Sequence, residues 1–299
     1  MKIDRLALSA MLFCCLSVIA SAQIDNEIVS VDSSIVVMNA AITDARGNAV
    51  EGLKQSDFRI FEDGIEQTVA AFSAEETPFA AVILLDTSGS MEQRVSLARS
   101  AAINFLDGLR ISDSAAIFKF DSKVQLIQEF SNRRDIGEAV FDLKAYGMTV
   151  LNDAVVEAAE SLAQRPEKRR AIIVLSDGAD TQSRKSDSYA LKAVLAANAV
   201  LYTVDMSSIE TGGRQRMQSQ GILRRFAEKT GGVFVSTPGG VAMRKAFKAI
   251  VEELGMQYTI TFQPVDSRKV GKWRELELRV ARPGLTIRTR KGYHAAKSR

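Results

Sequence analysis

Residues 80–86, Ala-Ala-Val-Ile-Leu-Leu-Asp, carry no polar side chain before the closing acid. Such a run suits a strand covered on both faces, because a sheet with one wet face alternates apolar and polar residues. Strands of that kind belong to parallel α/β sheets, which need a helix after each strand. Val95, Ala98, Ala102, Phe105, Leu106 and Leu109 recur at helical spacing and supply it. Between strand and helix lies Asp86-Thr87-Ser88-Gly89-Ser90. In open α/β sheets ligands gather beyond the carboxyl ends of the strands, where this turn stands.

Alternation at Asp86, Ser88 and Ser90 turns three oxygen-bearing side chains toward one point, and Gly89 relieves the crowding of a tight turn. The turn offers neither nitrogen nor sulfur. An all-oxygen set suits Mg²⁺, with Mn²⁺ or Ca²⁺ as alternatives, and argues against zinc and copper, which prefer His and Cys. An Asx-type turn capping the next helix would explain the Asp or a single Ser. It does not explain three oxygens in alternation.

Asp86-Thr87-Ser88-Gly89-Ser90 resembles the DxSxS element of the von Willebrand factor A family, whose metal centre is the metal-ion-dependent adhesion site. In that family a Thr on a second loop and an Asp after a later strand complete the set. This chain has Gly147-Met148-Thr149 and then Ala-Ile-Ile-Val-Leu-Ser-Asp-Gly at 171–178, in the same order. The resemblance therefore implies a metal site of Asp86, Ser88, Ser90, Thr149 and Asp177. The hydroxyls would ligate directly and the carboxylates directly or through water. Gly147-Met148-Thr149 departs from the family's usual Gly-Gly-Thr.

Two carboxylates balance a divalent ion and three hydroxyls are neutral, so the cation would stay electrophilic at an open position that an Asp or Glu of a protein partner fits. No His or Lys is evidently placed beside the motif as a base, and the single histidine, His294, lies near the carboxyl terminus. The expectation is a non-enzymatic binding or adhesion module. Two other readings compete with it. One is a structural or assembly component of an envelope complex with a stabilising metal. The other is a metal-dependent phosphatase using Asp86 as nucleophile, although such enzymes place a second Asp where this chain has Ser88. A serine hydrolase is disfavoured because Gly-x-Ser-x-Gly is absent.

The N-terminus has Lys2 and Arg5, an apolar stretch from Leu6 to Ile19, and Ala20-Ser21-Ala22 before Gln23, the pattern of a secretory signal peptide. The stretch falls short of the about 20 residues a membrane-spanning helix needs, so no span is expected after cleavage and the protein is expected in the periplasm or outside the cell. Both cysteines, Cys14 and Cys15, lie inside this leader. The formal net charge is +3 and implies neither nucleic acid nor a membrane surface. Basic runs at Lys168-Arg169-Arg170 and from Arg288 to Lys291 read as solvated ends of strands and helices, with no interleaved aromatics to suggest nucleic-acid binding.

Between 79 and 255 apolar runs near 81–86, 115–120, 171–176, 199–205 and 232–236 alternate with helical patterns near 133–143, 152–164, 187–198, 219–229 and 241–254. This predicts a doubly wound, mostly parallel sheet, with 123–130 returning as an antiparallel edge strand. The polar segment Met206–Gln220 reads as a long connection on the ligand side, either a plain surface loop or one whose Arg214 and Arg216 attract an acidic partner. The expected organisation is a signal peptide at 1–22, β-strands at 23–78, the von Willebrand factor A-like unit at 79–255, further β-strands at 256–293, and a basic tail at 294–299. The two β pieces would join as one sandwich in which the α/β unit is inserted. Asp63-Gly64 marks a hairpin in the first piece. The closing Thr289-Arg290-Lys291-Gly292-Tyr293 resembles a group of secreted bacterial proteins with a related domain.

Overall fold

A computed structural model describes residues 35–74, 77–132, 138–207, 213–236, 240–265 and 271–295. The expected signal peptide at 1–22, the first residues of the N-terminal β piece and 296–299 lie outside the described residues. In chain order the elements are β1 (Val36–Thr43), β2 (Phe58–Glu62), β3 (Ile65–Gln67), β4 (Val69–Ser73), β5 (Phe79–Asp86), α1 (Val95–Asp107), β6 (Ser114–Phe120), β7 (Val124–Ser131), α2 (Glu138–Phe141) and α3 (Leu151–Ala163). They continue with β8 (Arg169–Ser176), α4 (Asp187–Ala196), β9 (Ala199–Asp205), α5 (Gly213–Thr230), β10 (Phe234–Ser236), α6 (Gly240–Gly255), β11 (Tyr258–Phe262), β12 (Trp273–Val280), β13 (Thr286–Arg288) and β14 (Gly292–His294).

The central sheet has the order β10-β9-β8-β5-β6-β7, parallel throughout except for β7, which returns antiparallel beside β6. Strand β5 is buried over its whole length. Phe79, Ala81, Ile83 and Leu85 pack in one core with Phe105 of α1 and Phe247 of α6, while Ala80, Val82 and Leu84 join Leu151 of α3, Val194 of α4 and Phe226 of α5 on the other face. Both faces being covered is the reason the run needs no polar residue. After β5 the chain moves to β6 on one side and later to β8 on the other. The carboxyl ends of β5 and β8 thus flank the point where strand order reverses, the crevice that such sheets offer to ligands.

Two smaller antiparallel sheets, β13-β1-β11-β4 and β14-β12-β2-β3, each combine strands from before and after the α/β unit. Met38, Ile60, Tyr258, Ile260, Phe262 and Leu276 from both sheets share one core, which makes them a sandwich. Asp63 and Gly64 turn the β2–β3 hairpin in the left-handed conformation (φ 49° and 82°), as a two-residue hairpin of this hand requires. Pairing at the carboxyl end runs through His294, opposite Trp273.

Two expectations change. Residues 213–220 are not an irregular connection but the first turns of α5, which begins at Gly213 rather than near 219. Gln220 Nε2 donates to Asp205 Oδ2 at 2.6 Å and Arg216 stands 3.9 Å from the same carboxylate, so the end of β9 anchors this polar helix start. The basic run at 168–170 is not simply solvated, because Arg169 has no solvent exposure. Its guanidinium donates to the carbonyls of Leu254 (3.4 Å) and Gly255 (2.8 Å) at the end of α6, to Gln257 O, and to Thr259 Oγ1 at 3.3 Å. A cation at a helix carboxyl end meets the negative pole of the helix and its unsatisfied carbonyls. Arg290 is likewise buried and donates to Val37 O at 2.6 Å, with burial bringing it down to about 10.

Candidate functional site

Asp86 is the last residue of β5 and is completely buried. Its Oδ1 accepts the Ser88 N–H at 2.9 Å, closing the Asx turn, and its Oδ2 accepts the Ser176 hydroxyl at 2.5 Å from the end of β8. Ser176 Oγ in turn accepts the Gly178 N–H at 2.9 Å, which ties the loop bearing Asp177 to Asp86. Ser88 is buried, Ser90 is exposed, and their hydroxyl oxygens lie 3.1 Å apart. The side chain that starts the motif is therefore sealed below, and the one that ends it faces solvent.

The second loop is docked on the first. Gly89 N–H donates to Gly147 O at 3.0 Å and Tyr146 N–H to Thr87 O at 2.8 Å. Gly147 has φ +81°, and a Cβ there would stand 2.5 Å from Ser122 Oγ, which itself accepts the Met148 N–H at 3.0 Å. The left-handed backbone falls on Gly147 alone, since Met148 is not among the positive-φ residues. This explains why the second position of the loop tolerates a methionine.

Thr149 is buried, its N–H donating to Thr181 Oγ1 at 2.9 Å and its carbonyl accepting the N–H groups of Thr181 and Gln182, both at 3.0 Å. The third loop then caps α3: Asp180 Oδ2 accepts the Asn152 N–H at 2.8 Å and Ser183 Oγ accepts the Asp153 N–H at 3.1 Å. Through these bonds the loops carrying Asp86, Ser88 and Ser90, then Thr149, then Asp177 meet at one end of the sheet. Asp177, partly exposed, closes its own Asx turn with the Ala179 N–H at 3.1 Å. Ser176, Asp180, Thr181 and Ser122 were not singled out in the sequence. Ser176 had a signal, a hydroxyl replacing an aliphatic residue at the end of a buried strand.

Burial lifts the Asp86 carboxyl to about 7; hydrogen bonds from Ser176 and Ser88 pull against that rise, and the charge of Asp177 adds to it. Among the described residues no Lys or Arg is paired with Asp86. Nor is any group of three or more His, Cys, Asp or Glu side chains spaced there to hold a metal. A cation at these loops would depend on hydroxyl oxygens beside two carboxylates. That donor set is hard, neutral at three of its five positions, and suited to Mg²⁺, Mn²⁺ or Ca²⁺.

Residues 81–179 match the family model of the von Willebrand factor type A domain. An uncharacterised protein of Synechocystis sp. is 30% identical over 106 residues, which is 34% of this chain. That stretch spans only a quarter of the relative's length. Among solved structures, a von Willebrand factor type A protein from Catenulispora acidiphila aligns with 90% of this chain and 76% of its own at a TM-score of 0.50 and 14% identity. The vWF domain of the type V pili tip protein Mfa5 from Porphyromonas gingivalis aligns over 62% of this chain and 98% of its own at 0.51 and 12%. These likenesses establish the fold of the α/β unit.

Proposed function

We propose that the protein is an exported, non-enzymatic binding module in which Asp86, Ser88, Ser90, Thr149 and Asp177 hold a divalent cation, Mg²⁺ in the first instance, and a protein partner contributes an Asp or Glu carboxylate. The observation that carries this reading is Asp86, a fully buried carboxyl with no cationic partner among the described residues. A buried charge without compensation is costly, and a cation between Asp86 and Asp177 would compensate it. When bound, the ion supplies an electrophilic open position. The chain's own residues keep the loops fixed: Ser176 and the Ser88 amide orient Asp86, and Thr181 orients Thr149.

Support for export comes from the leader pattern and its small-residue cleavage site. Support for an adhesion or assembly setting comes from the shared fold of a pilus-tip domain. Thermal unfolding of the protein in EDTA and in millimolar Mg²⁺, Mn²⁺ or Ca²⁺ tests the reading. An ion at about 100 times its Kd should add about 2.7 kcal/mol, or roughly 5–10 °C in Tm for a chain of this size. Asp86→Ala and Thr149→Ala should stay folded and lose that response. No shift in any ion would sink the preformed metal site.

A further inference from the structure

We infer that Tyr146 and Met148 form an apolar rim on this site and select a partner segment in which the acid is flanked by a large apolar side chain; the inference rests on the function proposed above. Single exposed apolar side chains are ordinary on protein surfaces, but these two are not scattered. Tyr146 is 81% exposed and Met148 50% exposed, and they flank Gly147 immediately before Thr149. Their segment is not a free loop. The Tyr146 N–H is held by Thr87 O, Gly147 O by the Gly89 N–H, and the Met148 N–H by Ser122 Oγ, at 2.8–3.0 Å.

Two of those three bonds run to the loop that carries Asp86, Ser88 and Ser90, so the backbone that presents the apolar pair is fixed relative to that loop. Presenting side chains from a fixed backbone lowers the ordering cost of association. Tyrosine supplies a broad amphipathic face with few rotatable bonds, and methionine adapts to varied apolar shapes. A carboxylate reaching the cation beside Thr149 brings its chain neighbours over these two residues. Charge complementarity at the centre and apolar contact at the edge then define one occupant: a short acidic segment with an apolar neighbour beside the acid.

The experiment is an array of seven-residue peptides with a central Asp and systematically varied neighbours, probed with the full chain in Mg²⁺ and in EDTA. The Mg²⁺-dependent Tm shift of each variant is measured in parallel. The expected result is EDTA-sensitive capture of peptides with Leu, Ile, Phe or Met beside the Asp, at least about tenfold above Gly, Ser or Lys neighbours. Tyr146→Ser and Met148→Ser should reduce that preference about tenfold each while keeping the wild-type Mg²⁺ shift in Tm. A normal Mg²⁺ shift accompanied by no capture, by capture blind to the neighbours, or by a preference that survives both substitutions overturns the rim alone. Absence of a Mg²⁺ shift in the wild type sinks the metal reading, and the rim falls with it.

Discussion

At Asp86 folding and the proposed cation binding make opposite demands. The fold favours a neutral carboxyl there, since burial lifts its pKa from 3.8 to about 7, whereas a cation needs the carboxylate. The sign of the pH dependence follows from the folded value lying above the unfolded one. In the metal-free protein the stabilisation is complete below about pH 4, falls as pH rises, and is gone above about 7, a change on the order of 4 kcal/mol. Denaturant unfolding of wild type and Asp86→Asn in EDTA, compared between pH 4.5 and 8, should show this loss only in the wild type. Saturating Mg²⁺ should remove the difference, and its apparent affinity should weaken as pH drops below 7. The oxygen-bearing turn itself was legible in Asp86-Thr87-Ser88-Gly89-Ser90, because alternation and oxygen content are local properties. The pairing of Ser176 with Asp86 was not, because the two lie 90 residues apart and pairing of β5 with β8 brings them together.

Among the elements, β5 and β8 announce themselves because both faces of each strand are buried and their sequences need no alternation. The start of α5 is silent for the opposite reason: Arg214-Gln215-Arg216-Met217-Gln218-Ser219-Gln220 carries no apolar period, and its helix is fixed by Asp205 at the end of a neighbouring strand. Arg169 was misread for a related cause, since a basic run normally marks solvent and nothing local shows that the carbonyls of α6 converge on it. Arg169→Met should therefore destabilise the protein by about 3 kcal/mol, because it leaves several buried carbonyls without donors. The measurement is the denaturation midpoint. A loss below about 1 kcal/mol, the range of an exposed side chain, would remove the clamp from the account. Arg170→Met serves as the nearby control: that side chain is partly exposed and donates to the carbonyls of Arg165, Glu167 and Ala197 rather than to α6.

For the molecule as a whole, the sandwich depends on the unit inserted in it. Phe79, where the chain comes into the α/β sheet, pairs with Arg169, and Arg169 grips Gly255 and Gln257, where the chain leaves. On the incoming side Arg110 Nη2 donates to Thr77 O at 3.2 Å and Asp113 accepts the Phe79 N–H at 3.3 Å. Both connections are thus pinned at the end of the sheet away from the candidate site. Hydrogen exchange should reveal an asymmetry. Ile83→Ala, which costs roughly 2–5 kcal/mol in a sealed core, should lower amide protection in β1, β11 and β12 as well as in β5. Leu278→Ala should lower it in the sandwich alone. Equal effects in both directions would show one cooperative unit with no order of dependence. The same arrangement sets a timetable for synthesis. Ala41 cannot meet Arg288 until the α/β unit and the strands after it have been made, so the first strands must wait with unpaired edges. Once the insert has folded, its two ends are already neighbours, and what would have been the closure of a very long loop becomes the meeting of two short tethers. The α/β unit is then a splint for the strands on either side of it, and a newly made chain becomes a finished sandwich only after the half that carries the candidate site is in place.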